Sequence, residues 1–324
     1  MLLSHRQPAE LKILSLALLT TLCFLLFVRY QPKTPISSHN QLENLTLSVE
    51  ANPIKATVSE KLWYKLGPNG LNDEIREWTN TCLVQNPTFE VEFLTDISGD
   101  VFVVENYAFR PDIIQAFLAL KIPIVKADLL RYLILYSQGG IWNDLDVSCE
   151  DVPIRDWIPK QYRETANLVV GLEFDMGWGD GITRQFASWT IMSRPKSPHM
   201  WMVIEELMEA LREKTLEHNV TVADLTFDMI GDVVDFSGPR RLTKGILKSL
   251  SGTLGRRVDG GDISVVLEPR MIGDVLVLPG YAFANSSTNN WDGNHGQPSL
   301  VRHHFAGSWK NSHGGENLID KSSL

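Results

Sequence analysis

Basic residues are in deficit. Thirty lysines and arginines stand against 39 aspartates and glutamates, a formal charge of −9 over 324 residues. No excess of cations is available to track a phosphate backbone, so a nucleic-acid partner is not expected. An acidic chain that handles an anionic substrate must instead supply positive charge locally, from a metal ion or a few placed side chains. Cysteine is scarce as well: Cys23, Cys82 and Cys149 are all there is. Cys23 lies in an apolar stretch, so at most one disulfide, Cys82–Cys149, is open to the rest of the chain; two buried thiols are the alternative. Internal repeats are missing. Long apolar runs are missing too, with one exception.

That exception is "LKILSLALLTTLCFLLFV", Leu11–Val28. Its length is at the short end for a membrane-spanning helix, and no small-residue cleavage site follows it. It reads as a signal anchor, residues 11–28, with a short cytoplasmic tail at 1–10; a cleaved signal peptide is the competing reading. Either places the remainder in the secretory lumen. Residues 29–57 are rich in Pro, Ser, Thr and Asn without periodicity and read as a flexible lumenal stem. The folded domain is expected over 58–310 and a polar tail over 311–324. Sequons at Asn44, Asn219 and Asn285 agree with a lumenal location.

Within 58–310, strand and helix patterns alternate, which argues for an α/β domain with a mainly parallel central sheet. "KLWYKLG", "FEVEFLT", "IWNDLDV", "NLVVGLEF", "ASWTIMS" and "DVLVLP" read as strands. "GLNDEIREWTNTCLVQ", "KADLLRYLILYSQ", "SPHMWMVIEELMEALREKTLEHN" and "SGPRRLTKGILKSL" read as helices. In the second helix Leu129, Leu130, Leu133 and Tyr136 form the expected buried stripe, and Gly139-Gly140 ends it.

Asp144 and Asp146 follow immediately. Two apart on a strand, they project to one side, at the strand's C-terminal end, where open α/β sheets bind ligands. Paired carboxylates repel, and a hard cation such as Mn²⁺ or Mg²⁺ relieves that repulsion through oxygen ligands. A solvated strand end is the bland alternative for such a pair. Asp128 and Arg131, three apart on the preceding helix, share a face. They read as an ion pair, with a second role in gripping ligand hydroxyls. "VRHHFAGSWK" gathers His303, His304 and Lys310 into a candidate metal-and-phosphate patch.

The stretch "IVKADLLRYLILYSQGGIWNDLD" resembles the signature of the DXD-containing sugar transferases of glycosyltransferase family 32. "KLWYKLGPNG", "FASWTIMSRPKSPHM", "DFSGPRRLT", "DVLVLP" and "HHFAGSWK" are similar in particular to the fungal initiation-specific α-1,6-mannosyltransferases. The resemblance implies a GT-A type nucleotide-sugar-binding fold and a Golgi membrane enzyme, single-pass type II with a lumenal catalytic domain. It implies Mn²⁺, or another divalent cation such as Mg²⁺, held by Asp144, Asp146 and His304, with His303 as the alternative to His304. Donor contacts fall to Trp63, Tyr64, Lys65, Asp128, Arg131, Asp144 and Lys310. "GLEFDMGWGD" offers Glu173, Asp175 and Asp180 as carboxylates that stabilise the sugar cation or orient the acceptor, beside the catalytic Asp144 and Asp146.

The reaction so implied is transfer of mannose from GDP-mannose, with retention, to an N-glycan on a glycoprotein, within reach of other mannosyltransferase complex partners. Family 32 transferases using UDP-sugars, or acting on inositol-phosphoceramide, are the alternative. A non-catalytic subunit of such a complex is the other. The first strand lacks the His that many family members carry there, which leaves the base-pocket contacts open.

Overall fold

The computed structural model describes residues 58–68, 70–175, 184–284 and 298–307. The expected anchor at 11–28, the stem, Asn44, Asn285, Asp180, Lys310 and the polar tail lie outside the described residues. Among the described residues no helix is long and apolar enough to cross a membrane.

The strands are β1 (Lys61–Lys65), β2 (Glu90–Leu94), β3 (Gly140–Asn143), β4 (Val147–Cys149), β5 (Leu168–Phe174), β6 (Gln185–Phe186), β7 (Thr190–Ser193), β8 (Arg270–Ile272), β9 (Val275–Leu278) and β10 (Val301–His303). The longer helices are α1 (Asp73–Gln85), α2 (Asp96–Asn106), α3 (Pro111–Ala119), α4 (Pro123–Ser137), α5 (Pro198–His218) and α6 (Pro239–Leu254); α7 (Gly280–Ala284) is a short one.

The main sheet has the order β2-β1-β3-β7-β5-β9-β8, with β6 on β5. β1, β2, β3, β5 and β9 point one way, while β6, β7 and β8 run against them. The sheet is thus mixed, and β7 breaks the parallel set by inserting antiparallel between β3 and β5. A separate two-stranded ribbon pairs β4 with β10.

Period-2 alternation sorts the sheet's side chains into two cores. Trp63, Trp142, Leu168, Val170, Val275 and Val277 face the layer of α2 to α6. Leu62, Tyr64, Ile141, Val169, Leu276 and Leu278 face the other side, with Trp157, Phe283 and Trp189. Helix α4 is the centre of the first core. Its buried surface is not the stripe expected: Asp128 to Leu135 are all buried, so neighbours enclose it on every side. Fully burying each of its leucines contributes about 1.5–3 kcal/mol. That apolar helix can therefore carry two charges inside it.

Gly139 and Gly140 make the tight passage from α4 to β3. Both have positive φ, 67° and 96°, and a Cβ on Gly140 would come within 2.6 Å of the Lys61 carbonyl oxygen. Only glycine fits both the left-handed backbone and the contact. Further on, Cys82 of α1 is bonded to Cys149 of β4, which decides between the disulfide and two free thiols. The bond ties α1 to the strand that follows the aspartates.

Candidate functional site

Strand β3 stops at Asn143, one residue short of the first aspartate. Asp144 to Val147 form a turn, closed by the Val147 N–H donating to the Asp144 carbonyl at 3.2 Å. The two aspartates therefore do not alternate along a strand as the sequence suggests. The turn brings them to one place all the same, at the C-terminal end of β3. Because β5 and β9 point the same way as β3, and β7 begins where β3 ends, Glu173, Trp189 and α7 meet at that end. The Asp144 N–H donates to the Trp189 carbonyl at 2.8 Å, which anchors the turn to the entry of β7.

The β4–β10 ribbon adds the third side chain. Its register sets His303 opposite Val147. His303 Nε2 lies 3.3 Å from Asp146 Oδ1. One ligand atom each from Asp144, Asp146 and His303 lie within 4.8 Å of one another, the arrangement among the described residues suited to a metal ion. The next residues wrap Asp146: the His304 N–H donates to its carbonyl at 2.8 Å and the Ala306 N–H to its Oδ2 at 3.0 Å. Phe305, between them, takes a left-handed φ of 52°. That conformation costs about 1–2 kcal/mol for a residue with a Cβ, and it lets both flanking groups converge on one carboxylate.

Behind the turn lies a buried charge relay. Arg131 Nη1 is 2.9 Å from Asp128 Oδ1, and its Nη2 donates to Asp144 Oδ1 at 2.7 Å. The Trp142 indole donates to the same Asp144 oxygen at 2.8 Å, and the Ser237 hydroxyl donates to Asp128 Oδ2 at 2.7 Å. Burial pushes Asp128 and Asp144 above the ordinary carboxyl range, against the pull of Arg131. Burial also opposes the charge on Arg131, but Asp144 and Asp128 outweigh it and hold the guanidinium protonated. At Asp146 burial acts upward too. There the His303 hydrogen bond and charge, with the Ala306 amide, prevail and keep the carboxyl below its usual range.

Two carboxylates and an imidazole make a donor set of hard oxygens plus one nitrogen, which suits a divalent cation. Residues 72–164 match the family model described as "Glycosyltransferase sugar-binding region containing DXD motif". The matched stretch includes the turn that carries Asp144 and Asp146. The chain is also similar to the initiation-specific alpha-1,6-mannosyltransferase of Schizosaccharomyces pombe, 29% identical over 80% of this chain and 65% of that one. The protein of the same name from Candida albicans is 27% identical over 70% of this chain and 64% of its own length. The chain thus spans a little under two thirds of these curated relatives. Among solved structures, the PaToxG glycosyltransferase superposes with a TM-score of 0.38 at 11% identity, covering 62% of this chain and 76% of that one.

Other expected site residues fall in different places relative to the DXD turn. His304 is set apart from the carboxylates. Its ring stacks on Trp78 at 4.2 Å, and its Nε2 is hydrogen-bonded to Ser148 Oγ at 2.8 Å. The β10 register turns the ring of His303, not that of His304, toward Asp146. Glu173, at the end of β5, is buried and accepts from Gln185 Nε2 at 2.8 Å. Burial pushes its carboxyl upward, and His303 and Arg240 are near enough to oppose the shift. Asp175 is not at the DXD turn: it accepts the Val265 and Val266 N–H groups at 2.8 and 2.9 Å and so anchors a distant loop.

The first strand is likewise packed rather than open. The Trp63 indole donates to the Gly139 carbonyl at 2.9 Å, supporting the glycine passage from inside the core. Tyr64 is fully buried and stacks on Phe93, and Lys65 pairs with Asp96 at 2.8 Å. Trp189 was not marked as a site residue by the sequence. Nothing in "FASWTIMS" singles it out, since a Trp entering an apolar strand reads as core.

Proposed function

We propose that this chain is a retaining, divalent-metal-dependent glycosyltransferase on a GT-A type fold that moves mannose from GDP-mannose to an N-glycan. In this reading it is an α-1,6-mannosyltransferase-like enzyme, held at the Golgi membrane by residues 11–28 with residues 58–310 in the lumen. The observation that carries the reading is the convergence of Asp144, Asp146 and His303 in front of the Arg131–Asp128 pair.

Arg131 and the Trp142 indole fix one oxygen of Asp144, so the carboxylate keeps its orientation toward Asp146. Asp128, itself held by Ser237, keeps Arg131 in place. The Ala306 amide fixes Asp146 in the same way and leaves its other oxygen toward His303. A divalent cation bound by Asp144, Asp146 and His303 would supply positive charge against the departing diphosphate. Glu173, buried and prone to hold a proton, stands at the same end of the sheet and orients the acceptor hydroxyl.

Placing Asp128 and Arg131 inside α4 costs several kcal/mol of desolvation per ion, and apolar replacements of buried ion pairs are often neutral or stabilising. Stability alone gives no reason for them, and a role in holding Asp144 does.

The test is turnover by the purified full chain with a panel of GDP- and UDP-sugars, in Mn²⁺ or EDTA. Mn²⁺-dependent release and transfer from GDP-mannose alone is the expected result. Turnover of a UDP-sugar would overturn the mannosyl assignment while keeping the transferase. Failure of every donor both to bind and to react would overturn the enzyme reading.

A further inference from the structure

The two adjacent histidines are each laid flat against a different tryptophan. His303 stacks on Trp189 with ring centroids 4.4 Å apart and planes 4° from parallel; His304 stacks on Trp78 at 4.2 Å and 8°. Consecutive residues of an extended chain point opposite ways. Pairing of β10 with β4 therefore allows one ring, and only one, to face Asp146. What holds that ring in plane is not the ribbon itself, which ends at His303.

Trp189 does three things at once there. Its ring covers the face of His303. Its carbonyl accepts the Asp144 N–H at 2.8 Å. Its indole N–H donates to the Phe283 carbonyl at 2.8 Å, which locks the ring's own orientation onto α7. Phe305 closes the cluster in edge-on contact, with ring centroids 4.1 Å from His303 and 5.8 Å from Trp189. Trp189 is 5% exposed, so this geometry is set inside the core. The electron-rich indole face also favours an imidazole that has become positively polarised, as it does when it gives its lone pair to a cation.

We propose that Trp189 is the positioning residue that presents His303, rather than His304, to the Asp144–Asp146 pair as a cation ligand. The inference rests on reading those three residues as a cation site. It goes further by assigning the choice between the histidines to a residue that touches no substrate. Groups that hold a metal ligand in orientation commonly alter metal affinity by 10- to 100-fold.

The experiment is titration of the purified full chain with Mn²⁺, following free Mn²⁺ by electron paramagnetic resonance. Wild type is compared with Trp189→Leu, Trp189→Phe, His303→Ala, the double variant Trp189→Leu/His303→Ala and Trp78→Leu. Trp189→Leu is expected to weaken binding about tenfold. Trp189→Phe, which keeps a stacked ring, should retain most of the affinity and stands in if the Leu variant does not fold. Trp78→Leu should bind as wild type does.

The decisive comparison is the double variant. If Trp189 acts through His303, removing it costs nothing further once His303 is gone. Losses that simply add would show a general packing role and overturn the inference. So would normal binding by Trp189→Leu beside weakened binding by His303→Ala, with the metal site itself left standing. A wild-type chain that binds no Mn²⁺ would overturn the cation site and this inference together.

Discussion

Two charge clusters in this molecule use the same kinds of side chain and are balanced in opposite senses. In the helix layer, Glu206 of α5 is nearly buried and meets three cations from α6. Lys244 Nζ is at 2.9 Å and Arg241 Nη1 at 3.6 Å, and Lys248 pairs with the other oxygen. At the end of β3, three carboxylates, Asp128, Asp144 and Asp146, share one guanidinium and one imidazole. The scaffold cluster surrounds its single anion with more positive charge than it needs. The site cluster has more carboxylates than cations. The titration behaviour follows. Burial works to raise Glu206, yet Lys248 and Lys244 hold it below its ordinary value, whereas burial wins at Asp144. A cluster that only joins two helices is complete as it stands, and one that gathers more carboxylates than cations in a buried setting has a place for a cation.

The comparison can be broken most sharply at Asp146. Asp146→Asn keeps the shape and removes one charge; turnover of the donor in Mn²⁺ should fall about 10³-fold, on the scale of losing one fixed electrostatic contact to a transition state. A loss under tenfold, measured by steady-state kinetics, would put the needed charge elsewhere. Arg131→Met is next. It leaves Asp128 and Asp144 without their shared cation and should cost about 3–5 kcal/mol of stability, read from the urea midpoint at neutral pH. Sharpening the same point, the double replacement Asp128→Leu/Arg131→Met should recover part of that stability while turnover stays low.

Glu206→Gln should have the smallest effect, about 1 kcal/mol or less, because its lysine partners are more than half exposed and screened. Its pH dependence has a definite sign. The folded carboxyl sits below its ordinary value of 4.5, so near that pH the unfolded chain binds more protons than the native one. The stabilisation is complete above about pH 4.5 and is lost as pH falls through the folded value. The gap between wild type and Glu206→Gln in unfolding free energy should therefore close on acidification. A gap that widened in acid would reverse the account of this cluster.

Local signals carried much of the fold and part of the site. The i,i+3 spacing of Asp128 and Arg131, the Gly-Gly stop and the apolar run before Asp144 each dictate geometry within a few residues. All three appear in α4, the passage to β3 and the strand end. The remainder depends on partners distant in sequence. Whether "IWNDLDV" continues as a strand or breaks at Asn143 is decided by β7 and Trp189. Which histidine faces Asp146 is decided by the register of β10 on β4. Asp175 looks like a site carboxylate in a Gly-rich acidic stretch, and only the fold brings the amides of Val265 and Val266 to it. Trp63 and Tyr64 sit where a ligand pocket was expected, but strands on both sides of β1 bury them. Helices α2 and α3 are short, 11 and 9 residues, and α2 carries a glycine in its first turn, so neither offers a long periodic pattern in the sequence.

Everything proposed for this site depends on Asp144, Asp146 and His303 together holding a divalent cation. Crystals of the full chain grown with Mn²⁺ and GDP, measured at the manganese absorption edge, test it most directly. An anomalous peak is expected in contact with one oxygen each of Asp144 and Asp146 and with the ring of His303. A peak bound by His304 instead, or one that avoids the β3–β4 turn altogether, would contradict it.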